Sequence, residues 1–345
     1  MTEVSSAAMG SRLSWRMTAC LLTSALLCTV TAGVSAQAAA ESERHRTEIV
    51  LLGTKGGPSA DPVRSEPATL LLVDNKPYLI DAGAGVARQL AAAGYAPPAV
   101  RTIFITHHHL DHTAGLEPLM GLTWIDAGLV GKSTPSVGIY GPPATKFLVN
   151  AALDYISVSE RIFRAGIPTL PAAADMFAAH DIAGPGLVYH DASIRVIAAE
   201  NTHFQHPSVG PTGQRDLSLS YRFETPGGSV VFTGDTGPSE AVTRLAEGAD
   251  ILVSEVYLPT PDLLPATSEA SAKLNAQLAE HMSHEHLTPE EVGKMAAAAH
   301  VRTVVLTHTV ARDTPDEDQR LIAGVRRYFS GRVIAGHDLL RVAVQ

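Results

Sequence analysis

Residues 101–112 read Arg-Thr-Ile-Phe-Ile-Thr-His-His-His-Leu-Asp-His, and this stretch carries the strongest signal in the chain. The apolar run at 101–105 predicts a buried strand. At its end stands the pattern His-x-His-x-Asp-His, which places four metal-binding side chains within six residues: His107, His109, Asp111 and His112. Imidazole nitrogen and carboxylate oxygen are donors that Zn(II) accepts well. The stretch therefore predicts a metal site at a strand end, with a histidine-rich polar loop as the alternative.

The spacing of these residues divides them between two metals. Side chains two residues apart in an extended segment point to the same face, so His107 and His109 can share one ion. His108 faces the other way and is predicted to be structural. Asp111 and His112 lie beyond the turn and can reach a second ion.

Three later segments supply the ligands that are still missing. His203 follows a strand-like segment and is the candidate third ligand of the first metal, with His206 as its rival. Asp235 follows a strand and a turn-forming glycine, and a carboxylate there can bridge two cations. His308 ends another apolar strand. An ordinary turn aspartate is the alternative for Asp235.

The resulting set assigns seven side chains to two zinc ions. One zinc takes His107, His109 and His203, the other takes Asp111, His112 and His308, and Asp235 lies between them. Each ion keeps room for a shared water, as catalytic zinc sites do.

The first 36 residues read as a signal peptide. Arg12 and Arg16 precede an apolar run at 19–34, and small residues suited to cleavage follow, so we expect cleavage after Ala36 or Ala38. The run is shorter than the ~20 residues that a spanning helix needs, although a retained anchor is the alternative. The mature protein is then expected to be periplasmic or secreted, without a membrane segment. Both cysteines, Cys20 and Cys28, would be removed with this leader.

The remaining chain predicts one domain. After a linker at 37–46, residues 47–345 show a strand-rich first half and a second half in which strands and helices alternate. This order suits an α+β domain of two packed mixed sheets with helices outside. The region 121–186 is predicted to be a cap-like insertion over the site, with ordinary core packing as the alternative.

The charge of the chain is mildly acidic. The formal net charge is −9, and no run of five or more basic residues occurs. A surface built to grip nucleic acid usually has clustered Lys and Arg. The sequence thus argues against such a surface, while weak or guided binding stays open.

Taken together, these motifs resemble the metallo-β-lactamase superfamily, whose pattern is His-x-His-x-Asp-His with a later His, Asp and His. The sequence looks most similar to the ribonuclease Z and arylsulfatase branch, on the strength of the segment 52–58, Arg64 and the segment 79–85. The resemblance implies a four-layer αββα sandwich with a hydroxide held between two Zn(II) ions, for which manganese or iron is the alternative. It also implies that Asp81 orients the ligand loop.

The resemblance adds a candidate proton donor. Members of this branch have a His, followed by Ser or Thr, 22 positions before the final ligand. That position is His286 here, with Thr288 after it. His281 and His284 lie close by, so the local assignment stays open, as does a helix-capping role. The predicted catalytic residues are His286 and Asp111.

The function expected from these features is an exported zinc-dependent hydrolase of phosphodiester or sulfate ester bonds. A lactone or β-lactam hydrolase and a non-catalytic metal-binding protein are the alternatives. Ribonuclease Z enzymes of this branch carry a long tRNA-clamping arm between the third His and the bridging Asp, which the segment 204–234 is too short to hold. A small-molecule ester is therefore the expected substrate and tRNA is not an expected partner. The oligomeric state is left open, with a homodimer as one alternative.

Overall fold

A computed structural model describes residues 46–57, 59–130, 136–206, 208–259, 268–310 and 314–344. The predicted signal peptide at 1–36 and nearly all of the linker at 37–46 lie outside these residues. No helix in the described ranges is long and apolar enough to cross a membrane.

Seven strands among the described residues form a first sheet. They are β1 (Thr47–Gly53), β2 (Ala68–Val73), β3 (Lys76–Ile80), β4 (Thr102–Phe104), β5 (Val137–Gly141), β6 (Phe177–Asp181) and β14 (Arg341–Ala343). Their order across the sheet is β14-β1-β2-β3-β4-β5-β6. The first four pair antiparallel and the pairs from β3 to β6 are parallel, so the sheet is mixed.

The second sheet also contains seven strands in the part of the chain that the structure describes. They are β7 (Gly186–His190), β8 (Arg195–Glu200), β9 (Leu219–Thr225), β10 (Gly228–Phe232), β11 (Ile251–Val256), β12 (Thr303–Thr309) and β13 (Arg332–Ala335). Their order is β13-β12-β11-β10-β9-β8-β7. Strands β10 to β13 are parallel, so their carboxyl ends meet at one edge of the sheet.

Helices cover the outer faces of both sheets. The α-helices among the described residues are α1 (Val86–Ala92), α2 (Leu110–Thr113), α3 (Leu116–Leu129), α4 (Thr145–Gly166), α5 (Glu240–Leu245), α6 (Glu269–Glu285), α7 (Pro289–Ala298) and α8 (Pro315–Arg326). α1, α3 and α4 pack on the first sheet, and α5, α7 and α8 pack on the second. The layers are therefore helix, sheet, sheet, helix, which confirms the predicted sandwich.

The alternation of apolar residues along β1 explains why it lies in the middle of these layers. Val50 and Leu52 join the core under the outer helices, whereas Ile49 and Leu51 join the core between the two sheets. Both faces of the strand are buried, so its sequence is apolar at nearly every position rather than at every second one.

The region 121–186 is part of the sandwich, in contrast to the predicted cap. It supplies β5 and β6, which extend the first sheet beyond β4. α4 buries Val149 and Ile156 against that sheet, and Trp124 of α3 lies in the same core.

Candidate metal centre

The first set of candidate ligands gathers three imidazoles. The loop after β4 presents His107 and His109, and the loop after β8 presents His203. The ring centroid of His107 lies 4.7 Å from that of His109 and 4.7 Å from that of His203. His203 Nε2 lies 3.1 Å from His109 Nδ1. One nitrogen of each can thus converge on a single ion.

The second set joins a short helix to the end of a distant strand. α2 carries Asp111 and His112 in one turn, and β12 carries His308. His308 Nε2 lies 3.3 Å from Asp111 Oδ2, and His112 Nε2 lies 3.7 Å from the same oxygen. Gly56 lies close beside His308, and a Cβ added to Gly56 would lie 2.5 Å from His308 Nδ1.

Asp235 lies between the two sets. Its Oδ2 is 3.9 Å from Nε2 of both His107 and His203, and 3.0 Å from His308 Nε2. Its Oδ1 is 3.3 Å from His112 Nε2. The preceding Gly234 has a φ of 58°, which favours glycine and lets the chain turn sharply after β10. One carboxylate therefore faces ligands of both sets, as predicted for a bridging residue.

Several buried atoms of this cluster fit a metal better than they fit one another. Nε2 of His107, Nε2 of His112 and Oδ1 of Asp235 are buried and make no well-formed hydrogen bond to any described residue. A buried polar atom without a partner costs about 1–3 kcal/mol. Coordination would remove that cost, and a set of imidazole and carboxylate donors without thiolate suits zinc.

The electrostatics of the cluster also favour cations. Burial lowers the pKa of His107 well below its usual value and that of His203 to about 3, so both are neutral and ready to bind metal. Burial also acts to lower the pKa of His308, but the charge of Asp235 outweighs it and raises this pKa to about 10. The carboxylates thus favour a protonated imidazole at a position where a bound metal ion could supply the positive charge instead.

Asp81 orients the ligand loop. Its Oδ1 accepts a hydrogen bond from the backbone N–H of Thr106 at 2.7 Å, and its Oδ2 lies 2.9 Å from His112 Nδ1. This contact leaves Nε2 of His112 to face the cluster. The role expected for Asp81 from the family resemblance agrees with these contacts.

Glu255, near the end of β11, is a functional candidate that the sequence analysis missed. Its Oε2 lies 2.8 Å from His286 Nδ1, and its Oε1 accepts a hydrogen bond from the backbone N–H of Thr236 at 2.7 Å. Burial acts to lower the pKa of His286, but the charge and hydrogen bond of Glu255 outweigh it and raise this pKa. The available signal was an acidic residue within the apolar run at 251–256, which lies between Asp235 and His308 in the sequence.

Of the three neighbouring histidines, the structure places His286 nearest the cluster. Its ring centroid lies 4.9 Å from that of His203 and 5.9 Å from that of His308. His281 lies at the rim and pairs with Glu285 at 3.1 Å. His284 is exposed, and its Nδ1 lies 2.9 Å from the backbone oxygen of Glu280.

Two other histidines stay outside the cluster. His108 Nε2 lies 3.0 Å from Thr145 Oγ1, in keeping with its predicted structural role. His206 is exposed and belongs to none of the metal-compatible groups among the described residues. The geometry thus favours His203 over its rival. Metal binding by the seven predicted ligands stays a prediction.

Comparison with known proteins identifies relatives of this chain. A model of the Beta-lactamase superfamily domain matches residues 77–309. A protein named Ribonuclease Z from Mycobacterium bovis is 32% identical over 300 residues, covering 86% of this chain and 98% of the relative. One of the same name from Mycolicibacterium paratuberculosis is 33% identical over 302 residues, with the same coverage of each chain.

Solved structures share the fold. A metallo-β-lactamase fold protein from Bacillus subtilis matches with a TM-score of 0.60 and 18% identity, and human tRNase Z, short form, matches with a TM-score of 0.59 and 20% identity. Each match covers 86% of this chain and 99% of the other.

These relatives correct one prediction. A small-molecule ester substrate was expected and tRNA was set aside, because the segment 204–234 is short. The relatives named Ribonuclease Z nevertheless match over 98% of their own length. A short segment is therefore no ground for separating this chain from them, and the prediction is wrong.

Proposed function

The chain belongs to the metallo-β-lactamase superfamily, and we propose that it is a binuclear zinc-dependent hydrolase of phosphodiester bonds, with RNA as its substrate class. The observation that carries the proposal is the position of Asp235 between two sets of three ligand candidates. Relatives named Ribonuclease Z favour a phosphodiester over a sulfate ester, a lactone or a β-lactam.

The residues present can hold two metals. His107, His109 and His203 would hold one, and Asp111, His112 and His308 the other, with Asp235 shared. Bound zinc would lower the pKa of a coordinated water to roughly 7 and neutralise charge that develops on the phosphoryl group. Elemental analysis distinguishes zinc from the alternatives, manganese and iron.

Asp111 is proposed to take up a proton from the attacking water. Burial acts to raise the pKa of Asp111, but the hydrogen bond from His308 and the nearby imidazole charges outweigh it and hold this pKa below its usual value. The carboxylate is therefore ionised at neutral pH. The backbone N–H of Gly57 donates to its Oδ2 at 2.9 Å and fixes its orientation.

His286 is proposed to deliver a proton to the leaving oxygen. Because Glu255 occupies Nδ1, the proton would leave from Nε2. Glu255 raises the pKa of His286 and so favours the imidazolium form, which a general acid needs. The pair is buried, so the proton is shielded from bulk water.

We also propose that the protein is exported to the periplasm or the medium. The supporting observations are the two arginines and the apolar run of the leader, together with the small residues at 33–38. Export would direct the enzyme to RNA or other phosphodiesters outside the cytoplasm.

A substrate panel tests the proposal. Zinc-loaded protein is assayed with bis-p-nitrophenyl phosphate, an RNA with a 3′ extension, an aryl sulfate, a chromogenic cephalosporin and an acyl lactone. We expect turnover of the two phosphodiesters, abolished by Asp235→Ala and retained by the exposed-site control His284→Ala. Protein that holds two metals yet cleaves neither phosphodiester, or that prefers the sulfate, cephalosporin or lactone, would contradict the proposal.

A further inference from the structure

A cavity of about 390 Å³ opens beside the first set of ligands. Its wall includes His109, Phe204, His206, Asp216, His281 and Glu285. His109 also belongs to the metal-compatible group with His107 and His203, so the cavity adjoins that group. This volume lies within the range of pockets that hold small ligands.

Phe204 joins the cavity to the ligand cluster. Its ring centroid lies 5.7 Å from that of His107, 5.4 Å from that of His109 and 5.1 Å from that of His203. The side chain also lines the cavity and is only partly buried. An aromatic ring held in place by three imidazoles and open to a cavity is suited to stack on a flat ligand.

The charge of the wall indicates which part of a nucleotide fits. None of the lining residues that the structure describes is Lys or Arg, and two of them, Asp216 and Glu285, are carboxylates. Such a wall offers a phosphate no Lys or Arg to pair with, and its two carboxylates oppose a further negative charge. A neutral nucleobase needs no such partner, and its N–H groups could donate to the carboxylates and imidazoles.

We propose that this cavity is a nucleobase pocket, in which the base next to the scissile phosphodiester stacks on Phe204. The inference rests on the proposed function, because it takes the scissile phosphodiester to lie at the metal cluster. Phe204 is then a specificity-determining residue that favours nucleotides over phosphodiesters without a base. Base–aromatic stacking of this kind tolerates any base and recurs in proteins that bind single-stranded nucleic acid.

Two substrates with the same leaving group test this inference. Thymidine 5′-p-nitrophenyl phosphate carries a base, and methyl p-nitrophenyl phosphate does not. In the zinc-loaded wild type, kcat/KM should be higher for the thymidine ester. Phe204→Leu keeps an apolar side chain beside the imidazoles but removes the stacking surface. It should lower the ratio of the two kcat/KM values about 10-fold or more, and Phe204→Trp should restore it.

The controls separate a base-binding role from a structural one. Phe147→Leu makes the same change on the exposed face of α4 and should leave the ratio unchanged. Asp216→Asn, on the wall away from the ligands, should change the relative rates of esters that carry different bases. Metal content is measured for each variant. An equal loss with both substrates in Phe204→Leu would show that Phe204 only supports the ligand loop and would overturn the inference.

The remaining outcomes are also decisive. If the wild type hydrolyses methyl p-nitrophenyl phosphate with the same kcat/KM as the thymidine ester, the nucleobase pocket is refuted while the proposed hydrolase stands. If it hydrolyses neither ester with two metals bound, the proposed function fails and the inference fails with it.

Discussion

His286 Nδ1 lies 2.8 Å from Oε2 of Glu255, although the two residues are 31 positions apart in sequence. β11 delivers the acid, and the end of α6 delivers the imidazole. Both side chains are buried, and the His286 ring packs against His203 and His308. This contact makes Glu255 a positioning residue for the proposed proton donor.

Replacing Glu255 with Gln should move the alkaline limb of the pH–kcat profile to lower pH. Glu255 raises the pKa of His286, so its loss lowers that pKa and the donor form disappears earlier as the pH rises. We expect kcat at pH 8 to fall by up to about 100-fold, the lower end of what general acid catalysis contributes. Glu280→Gln, on the exposed face of α6, is the matched control. A uniform loss at every pH would argue against this role.

Substituting His203 or His206 with Ala should have opposite outcomes. His203 is buried against His107 and His109, whereas His206 is exposed. His203→Ala should lower the bound zinc and abolish phosphodiesterase activity. His206→Ala should keep the full metal content, as measured by elemental analysis. The reverse pattern would make His206 the ligand.

Asp81→Ala should weaken zinc binding although Asp81 belongs to neither set of proposed ligands. The variant loses the acceptor that orients His112 and the bond to the backbone N–H of Thr106. Loss of such a supporting contact typically costs about 10- to 100-fold in metal affinity. Titration against a competing chelator measures it, and Asp74→Ala, in an exposed turn, is the comparison. Unchanged affinity would contradict the orienting role.

Removing the metal should lower stability in a way that depends on pH. Free zinc at 1,000 times its Kd stabilises the folded state by about 4 kcal/mol, and chelation removes this contribution. The pKa of His308 is raised to about 10 in the metal-free protein, so zinc must displace a proton there at neutral pH. Apparent zinc affinity should therefore rise from pH 6 to pH 8. Proton release on titration in weak buffer checks this, and binding without release would refute it.

The leader should be cleaved during export. We expect the mature protein to begin at Gln37 or Ala39, which N-terminal sequencing of the exported protein would show. Replacing Ala36 and Ala38 with bulky residues should retain the precursor. A product that starts at Met1 and stays with the membrane would support a retained anchor instead.

Local patterns in the sequence were enough to predict much of the fold. The apolar run before His107 predicted the strand that became β4, and the order of strand-like and helix-like segments predicted two packed mixed sheets with helices outside. Strands and helices can be recognised in this way because apolar residues recur along the sequence with the period of the element whose face they bury. The same reasoning placed His107, His109, Asp111 and His112 near one another, since they lie within a single loop and turn.

The region 121–186 shows where such patterns stop being informative. The sequence predicted a cap there, with core packing as the alternative. A segment that forms a cap and a segment that forms a core can have the same number and spacing of aromatic residues. Only the pairing of β5 with β4 and of β6 with β5 shows that the region extends the first sheet.

The sequence by itself determined the layers and the kinds of donor atom available, because hydrophobic period and residue chemistry are local properties. Tertiary structure alone decided that Glu255 holds His286, that His286 rather than His281 or His284 faces the cluster, and that Phe204 borders a cavity beside it. These are relations between residues on separate strands and loops. Their distances follow from strand order and register, which no short segment of the chain specifies.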